Sequence, residues 1–146
     1  MSGVSMTFKV GNGPAFAHLA KLQNRQIFTA ARREIGEMFL GEIQDNLDNQ
    51  KLFNGSAMKQ SKAAAKRGGK TLIKSHLLYD SYVYQLKAGG LEVGSDSPYA
   101  AIHHFGGQTG SRKGRFMMPA RPVMGLTPKL ERNIGDFLIA EIGRMQ

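Results

Sequence analysis

The chain has 146 residues, no cysteine, and 20 Lys and Arg against 11 Asp and Glu, for a formal charge of +9. That length suits one domain with a real core, the lack of cysteine excludes disulfides, thiolate zinc sites and cysteine nucleophiles, and no run approaches the roughly 18 apolar residues of a membrane-spanning helix. The charge is uneven: Lys51, Lys59, Lys62, Lys66, Arg67, Lys70 and Lys74 lie in an acid-free stretch, as do Arg112, Lys113, Arg115, Arg121 and Lys129, which points to a polyanionic partner or to a solvated, solubilising face.

The opening MSGVSMTFKVGNGP has no basic start followed by an apolar run, so a secretory signal is not expected, and residues 1–14 read as flexible. A helical turn or two around Phe16, Leu19 and Leu22 is expected after Pro14. From Arg25 to about Gln50, Ile27, Ala31, Ile35, Met38, Ile43 and Leu47 recur near a 3.6-residue period and predict a long amphipathic helix. Gly36 and Gly41 within it weaken the helix or admit a close neighbour. Residues 54–74 are polar, basic and glycine-punctuated, and read as a long, mobile loop in which Lys62–Arg67 can form a helical turn.

The period then changes to two. In the run 79–86, Tyr82, Tyr84 and Leu86 share one face, and after Ala88-Gly89-Gly90 the run Leu91-Glu92-Val93-Gly94 alternates again, which predicts a β-hairpin packed on the long helix. Pro98 to Phe105 reads as a short helix stopped by Gly106-Gly107 in the left-handed conformation. Residues 106–116 form a glycine- and arginine-rich loop. Pro119 and Pro122 then argue against a central strand, leaving room for a short edge strand before Pro119. Thr127 caps and Pro128 opens a last helix carrying Leu130, Ile134, Phe137, Leu138, Ile142 and Met145. The fold class is α+β: a long N-terminal and a C-terminal helix on a small antiparallel sheet, with long basic loops, in a single domain over 1–146.

Three chemical readings present themselves. Ala64 to Thr71, AAKRGGKT, fits the loose spacing of a phosphate-binding P-loop, but no apolar strand precedes it and no helix is expected directly after it, as that chemistry requires. His103 and His104 are adjacent, so on a helix they point about 100 degrees apart and cannot chelate one metal as an i, i+4 pair can. Asp80, Glu92 and Asp96 have no patterned acid–base partner. The reading is no enzyme, no cofactor and no metal.

The block Tyr99-Ala100-Ala101-Ile102-His103-His104-Phe105-Gly106-Gly107, followed by Pro119-Ala120-Arg121-Pro122-Val123-Met124-Gly125, carries a resemblance. With Val93-Gly94-Ser95 before it and Thr127 to Met145 after it, it resembles the phage virion morphogenesis, or tail completion, proteins of Mu- and P2-type contractile-tailed bacteriophages. The resemblance extends upstream through Leu77-Leu78-Tyr79-Asp80-Ser81, the basic connector and Asn54-Gly55 to the long helix, over about Arg25 to Met145. Two positions depart from the family pattern: Met58 stands where a tryptophan is frequent, and Val123 where an aromatic is usual. AAKRGGKT falls in the family's variable basic connector.

The resemblance implies a structural protein that completes or terminates the tail and joins it to the head. It would act in the virion tail or neck after assembly in the host cytoplasm, with no membrane. Partners would be further copies in a ring, sixfold by analogy with the tail tube, the tube or sheath, and head–neck proteins, with non-specific contact to phage DNA. Tyr99, Ala100, Ile102, His103, Phe105, Gly106, Gly107, Pro119, Arg121 and Pro122 form the family motif. Tyr99, Ile102 and Phe105 are expected to pack the short helix on the hairpin and long helix, and a carboxylate or carbonyls to pin Arg121. Lys62, Lys66, Arg67, Lys70, Arg112, Lys113 and Arg115 are the candidate subunit, partner or DNA contacts. The rival reading is a nucleic-acid-binding protein that uses the same basic loops, for which no helix-turn-helix or stacking platform is visible.

Overall fold

In the long helix α1 (Arg25–Asp48), every fourth residue from Ala31 through Ile35, Phe39 and Ile43 to Leu47 is apolar and buried. Residues four apart stack on one face of a helix, so these side chains form a continuous inner ridge. The structure, a computed structural model, describes residues 3–9, 25–87 and 90–144. Phe39, absent from the expected periodic set, is the residue turned fully inward, while its neighbour Met38 is half-buried. Of the two mid-helix glycines, only Gly36 serves a close approach. A Cβ there would lie 2.6 Å from the Tyr84 ring, whereas one at Gly41 would meet nothing within 4 Å.

The ridge of α1 covers a three-stranded antiparallel sheet in the order β1 (Val4–Lys9), β3 (Gly90–Ser95), β2 (Tyr82–Lys87). The hairpin register pairs Tyr82 with Ser95 and Leu86 with Leu91. Tyr82 is buried and Tyr84 and Leu86 half-buried, while Val83, Gln85 and Lys87 are exposed, the alternation expected of a strand with one wet face. The expected hairpin is therefore present, but it starts later. Residues 77–81 coil into the short helix α3 (Leu77–Ser81) instead of extending the strand. Ser81 Oγ donates to the Leu78 carbonyl at 2.6 Å and accepts from Ser95 Oγ at 2.6 Å, and Ser95 Oγ in turn accepts from the Ser97 amide at 3.0 Å.

Where a flexible lead is expected over 1–14, Val4–Lys9 pairs along the full length of β3, Val4 with Ser95 and Phe8 with Leu91. Its alternation of Val4, Met6 and Phe8 is the period-two signal of a strand. The Phe8 ring meets that of Phe39 at 5.3 Å with a 58° tilt. The helical turn expected around Phe16, Leu19 and Leu22 lies outside the described residues.

The connector 54–74 is not a loose loop. It contains α2 (Lys62–Arg67), and Met58, Ala64 and Thr71 within it are buried. Its anchor is the end of α1, where Gln50 takes a left-handed φ of 54° and the Lys51 amide reaches back to the Asn46 carbonyl at 2.8 Å. That conformation costs an L residue about 1–2 kcal/mol. The Gln50 side chain offsets it by donating from Nε2 to the Leu47 and Thr71 carbonyls and accepting the Thr71 amide at 2.7 Å. Ser61 caps α2 by accepting the Ala64 amide at 3.1 Å, and its own amide donates to Thr71 Oγ1 at 3.0 Å.

After β3 come α4 (Ala100–Phe105), a small hairpin of β4 (Gly107–Thr109) and β5 (Phe116–Met118), and α5 (Pro128–Arg144). The loop expected over 106–116 is thus a hairpin, with Gly107 paired to Met118 and Thr109 to Phe116. Gly106 stops α4 at a positive φ of 71°, but its ψ of −174° is extended, not the helical left-handed value expected. It needs glycine because a Cβ would sit 2.7 Å from the Met118 carbonyl oxygen. At α5, Thr127 Oγ1 accepts the Leu130 amide at 3.2 Å, and Leu130 and Ile134 are buried. Thr127→Ala is expected to lower stability by about 1 kcal/mol, read as a shift of the urea midpoint at unchanged slope.

Candidate functional site

Pro119, Arg121 and Pro122 of the family motif lie in a strap over 119–125 that is held by hydrogen bonds at successive positions. The Arg121 amide donates to the His103 carbonyl at 2.7 Å, tying the strap to α4. The Pro122 carbonyl accepts the Phe53 amide at 3.0 Å, and the Val123 carbonyl accepts Asn46 Nδ2 at 2.9 Å, tying it to the end of α1. Proline at 119 and 122 suits this segment because no bond that holds it needs an amide at those two positions: the donor is the Arg121 amide and the acceptors are the Pro122 and Val123 carbonyls. Val123 and Met124 are 2% and 4% exposed, so the strap seals the core. Met58 and Val123, the two departures from the family pattern, both occupy buried positions.

Arg121 is the pin, and its partner is a carbonyl. The side chain is 5% exposed, and Nε donates to the Lys59 carbonyl of the connector at 2.9 Å. Nη1 approaches the Met118 sulfur at 3.9 Å, a weak contact. Among the described residues no carboxylate pairs with it. Burial lowers the guanidinium from its ordinary value, but an arginine keeps its charge in a protein.

The expected packing role of Tyr99 and Phe105 is not what the structure shows, for they are 67% and 69% exposed. The six-residue α4 lies against β1 through Ala100, which is fully buried. A small residue permits that close approach, and it leaves the bulky neighbours outside, with Ile102 half-buried. Phe105 stands edge-on to the His104 ring at 4.7 Å.

His103 and His104 each carry a buried Nδ1 without a hydrogen-bond partner. Burial pushes both imidazoles below the ordinary 6.5, and for His103 the nearby Arg121 charge adds to the effect. Both are therefore neutral in the fold at pH 7, and protonation favours the unfolded chain. Stability is present in full above the unfolded value of 6.5 and falls as pH drops through the lowered folded values. The urea midpoint is expected to hold above pH 6.5 and to decline from there towards pH 5, and the double variant His103→Gln, His104→Gln to flatten that decline.

The basic residues divide into two places. Lys62, Lys66, Arg67 and Lys70 are exposed on and after α2, Lys70 Nζ donating to the Asp48 carbonyl at 2.7 Å. Arg112, Lys113 and Arg115 are exposed at the tip of the β4–β5 hairpin, whose sides carry exposed Phe116 and Met117. Arg67 joins Tyr99, His103 and Arg121 on a cleft of about 550 Å³ between the connector, α3 and α4, and no hairpin-tip residue lines it. Lys74, His76 and Leu77 on the same cleft were not among the candidate site residues; the acid-free run held Lys74 and the family resemblance held Leu77.

AAKRGGKT has the wrong polarity for a phosphate loop. Its helix, α2, precedes the glycines, and Gly68 terminates that helix with a left-handed φ of 67°. Thr71, whose hydroxyl a P-loop would direct at magnesium, is fully buried and accepts the Ser61 amide.

A family model described as the phage virion morphogenesis family matches residues 15–143, from before α1 to the end of α5. The chain belongs to the phage virion morphogenesis family. That membership carries a structural role in phage assembly. The chain is also similar to Mu-like prophage FluMu G protein 2 of Haemophilus influenzae, 40% identical over 68 residues. The match covers 47% of this chain and 49% of the relative, so the chain spans about half the length of the curated relative it matches. No solved structure matches. Within this virion morphogenesis protein, the strap is the physical content of the Pro-Ala-Arg-Pro block: it joins α1, the connector and α4 through backbone carbonyls.

Proposed function

We propose that the protein is a non-enzymatic subunit that completes or terminates the phage tail and joins it to the head. It acts as a ring at the tail or neck, after assembly in the host cytoplasm. The observation that carries this reading is the family match over residues 15–143, which takes in the described core apart from β1. A tail has rotational symmetry, and a closed ring of identical subunits ends it without open contacts. The exposed hairpin β4–β5, apolar on its sides and basic at its tip, is built to lie on something else, since exposed Phe116 and Met117 gain from being covered. Its counterpart is a neighbouring subunit or an acidic rim of the tube, sheath or head–neck proteins, with phage DNA passing near the basic tips.

The experiment is electron microscopy of lysates from the parent phage with this gene deleted. Filled heads accumulating beside separate tails support the joining role. Normal joined virions overturn it and leave nucleic-acid binding to explain the basic loops. In the same system, deleting residues 108–115 is expected to leave a cooperative melt in the purified protein while abolishing joined particles. Complementation of the gene deletion by that variant would overturn the role given to the hairpin.

A further inference from the structure

The cleft between the connector, α3 and α4 has an electrostatic deficit that the described residues do not fill. Arg121 is nearly buried at its base, and a guanidinium has five N–H donors. Of these, Nε meets a carbonyl oxygen, and among the described residues Nη1 makes only the weak contact to sulfur. A buried charge is costly unless it is paired, several kcal/mol by general experience. Arg67, Lys74 and His103 share the walls with Arg121, and among the described residues no Asp or Glu lines them.

Apart from three serines and His76, the rest of the lining is apolar. Leu72, Leu78 and Met118 contribute, and at the mouth Leu77 and Tyr99 are 77% and 67% exposed. Two of the lining residues, Leu72 and His76, hold left-handed φ values of 65° and 60°. Each costs of order 1 kcal/mol or more, so the walls are kept in shape by the surrounding fold. The anchoring of Thr71 by Gln50 and of Ser61 by Thr71 supplies that support.

We propose that this cleft is a docking seat for an acidic peptide segment of another protein, one carboxylate entering towards Arg121 and flanking apolar side chains covering Leu77 and Tyr99. A planar guanidinium suits a carboxylate through paired hydrogen bonds, and Arg and Tyr at a desolvated centre are the residue types that anchor interfaces. The volume falls within the range of sites that hold a few side chains. The apolar walls favour a peptide over a phosphate backbone, whose contacts are made by polar groups and charges. The local charge of the cleft, set by Arg67, Lys74 and Arg121, favours an acidic segment as its occupant. The inference stands independently of the tail-joining role.

The test is fluorescence anisotropy of a labelled peptide, Leu-Asp-Leu-Asp-Leu with blocked ends, titrated with the full chain. The peptide is expected to bind, and the isosteric Leu-Asn-Leu-Asn-Leu to bind at least tenfold more weakly. Lys74→Glu and Leu77→Asp, both at exposed positions, should each weaken binding tenfold or more, while Lys113→Glu at the hairpin tip should leave it unchanged. Arg121→Lys, checked for an intact cooperative melt, should also weaken it. No binding, equal binding of the two peptides, or indifference to Lys74→Glu and Leu77→Asp each overturns the proposal. So does displacement by a ten-nucleotide dT strand at the same site, which would assign the seat to nucleic acid, or a dimer by light scattering that excludes the peptide, which would assign it to a second copy.

Discussion

Phe39→Ala is expected to lower the unfolding free energy by about 3–5 kcal/mol, the usual cost of removing a buried phenylalanine ring. The residue is 1% exposed in the middle of the α1 ridge, and its ring meets Phe8 of β1 at 5.3 Å, so truncation empties the seam between helix and sheet. Domains of this size have about 5–15 kcal/mol in total, so the variant should sit close to its midpoint under mild denaturant. Ile139→Ala, at a 69% exposed position on α5, serves as the control and should stay within about 0.5 kcal/mol of wild type. Urea titrations of both variants measure the difference. A Phe39→Ala midpoint as high as that of the control would mean that the seam does not hold the fold.

Gly94→Ala should be the next most damaging single change, by about 3 kcal/mol, at the upper end of overpacking costs. A Cβ at this position would lie 2.2 Å from the Val4 carbonyl oxygen and 2.6 Å from Ser5 Cα. Those are backbone atoms and cannot swing aside as a flexible side chain can. The only relief is for β1 to lift from β3, which uncovers Leu91 and Val93, both fully buried. Hydrogen exchange checks the mechanism: the amides of residues 4–8 should lose protection while those of α5 change little at equal denaturant. Uniform loss across the chain would point to global destabilisation without β1 release. The glycine of the Val-Gly-Ser step is thus explained by strand approach.

The α1 helix, the inner face of the hairpin and the Thr127 cap of α5 were readable because each is decided within a turn or a strand's length by local periodicity and capping chemistry. The family block was readable for the same reason, its prolines and glycines being fixed by backbone geometry. The site was less accessible. Arg121 stood out in the sequence, but its Lys59 partner is 62 residues away, and nothing local marks a carbonyl as the one that will be used. Tyr99 and Phe105 looked like core by composition, yet one small residue, Ala100, takes the contact and turns them outward.

The sequence by itself therefore determined the helices with long apolar stripes, the antiparallel hairpin, an uneven positive charge and a family pattern that belongs to phage assembly. Only the tertiary structure decided that Phe39 and not Met38 faces the sheet, that the first strand joins β3, and that 77–81 coils instead of extending. It also decided that the basic connector is pinned by Gln50 and Thr71, and that Arg67, Lys74, His103 and Arg121 share one cleft. The physical reason is common to all of these. Period and capping report on neighbours a few positions away, whereas burial and the pairing of charge are set by segments that the chain brings together only when it folds.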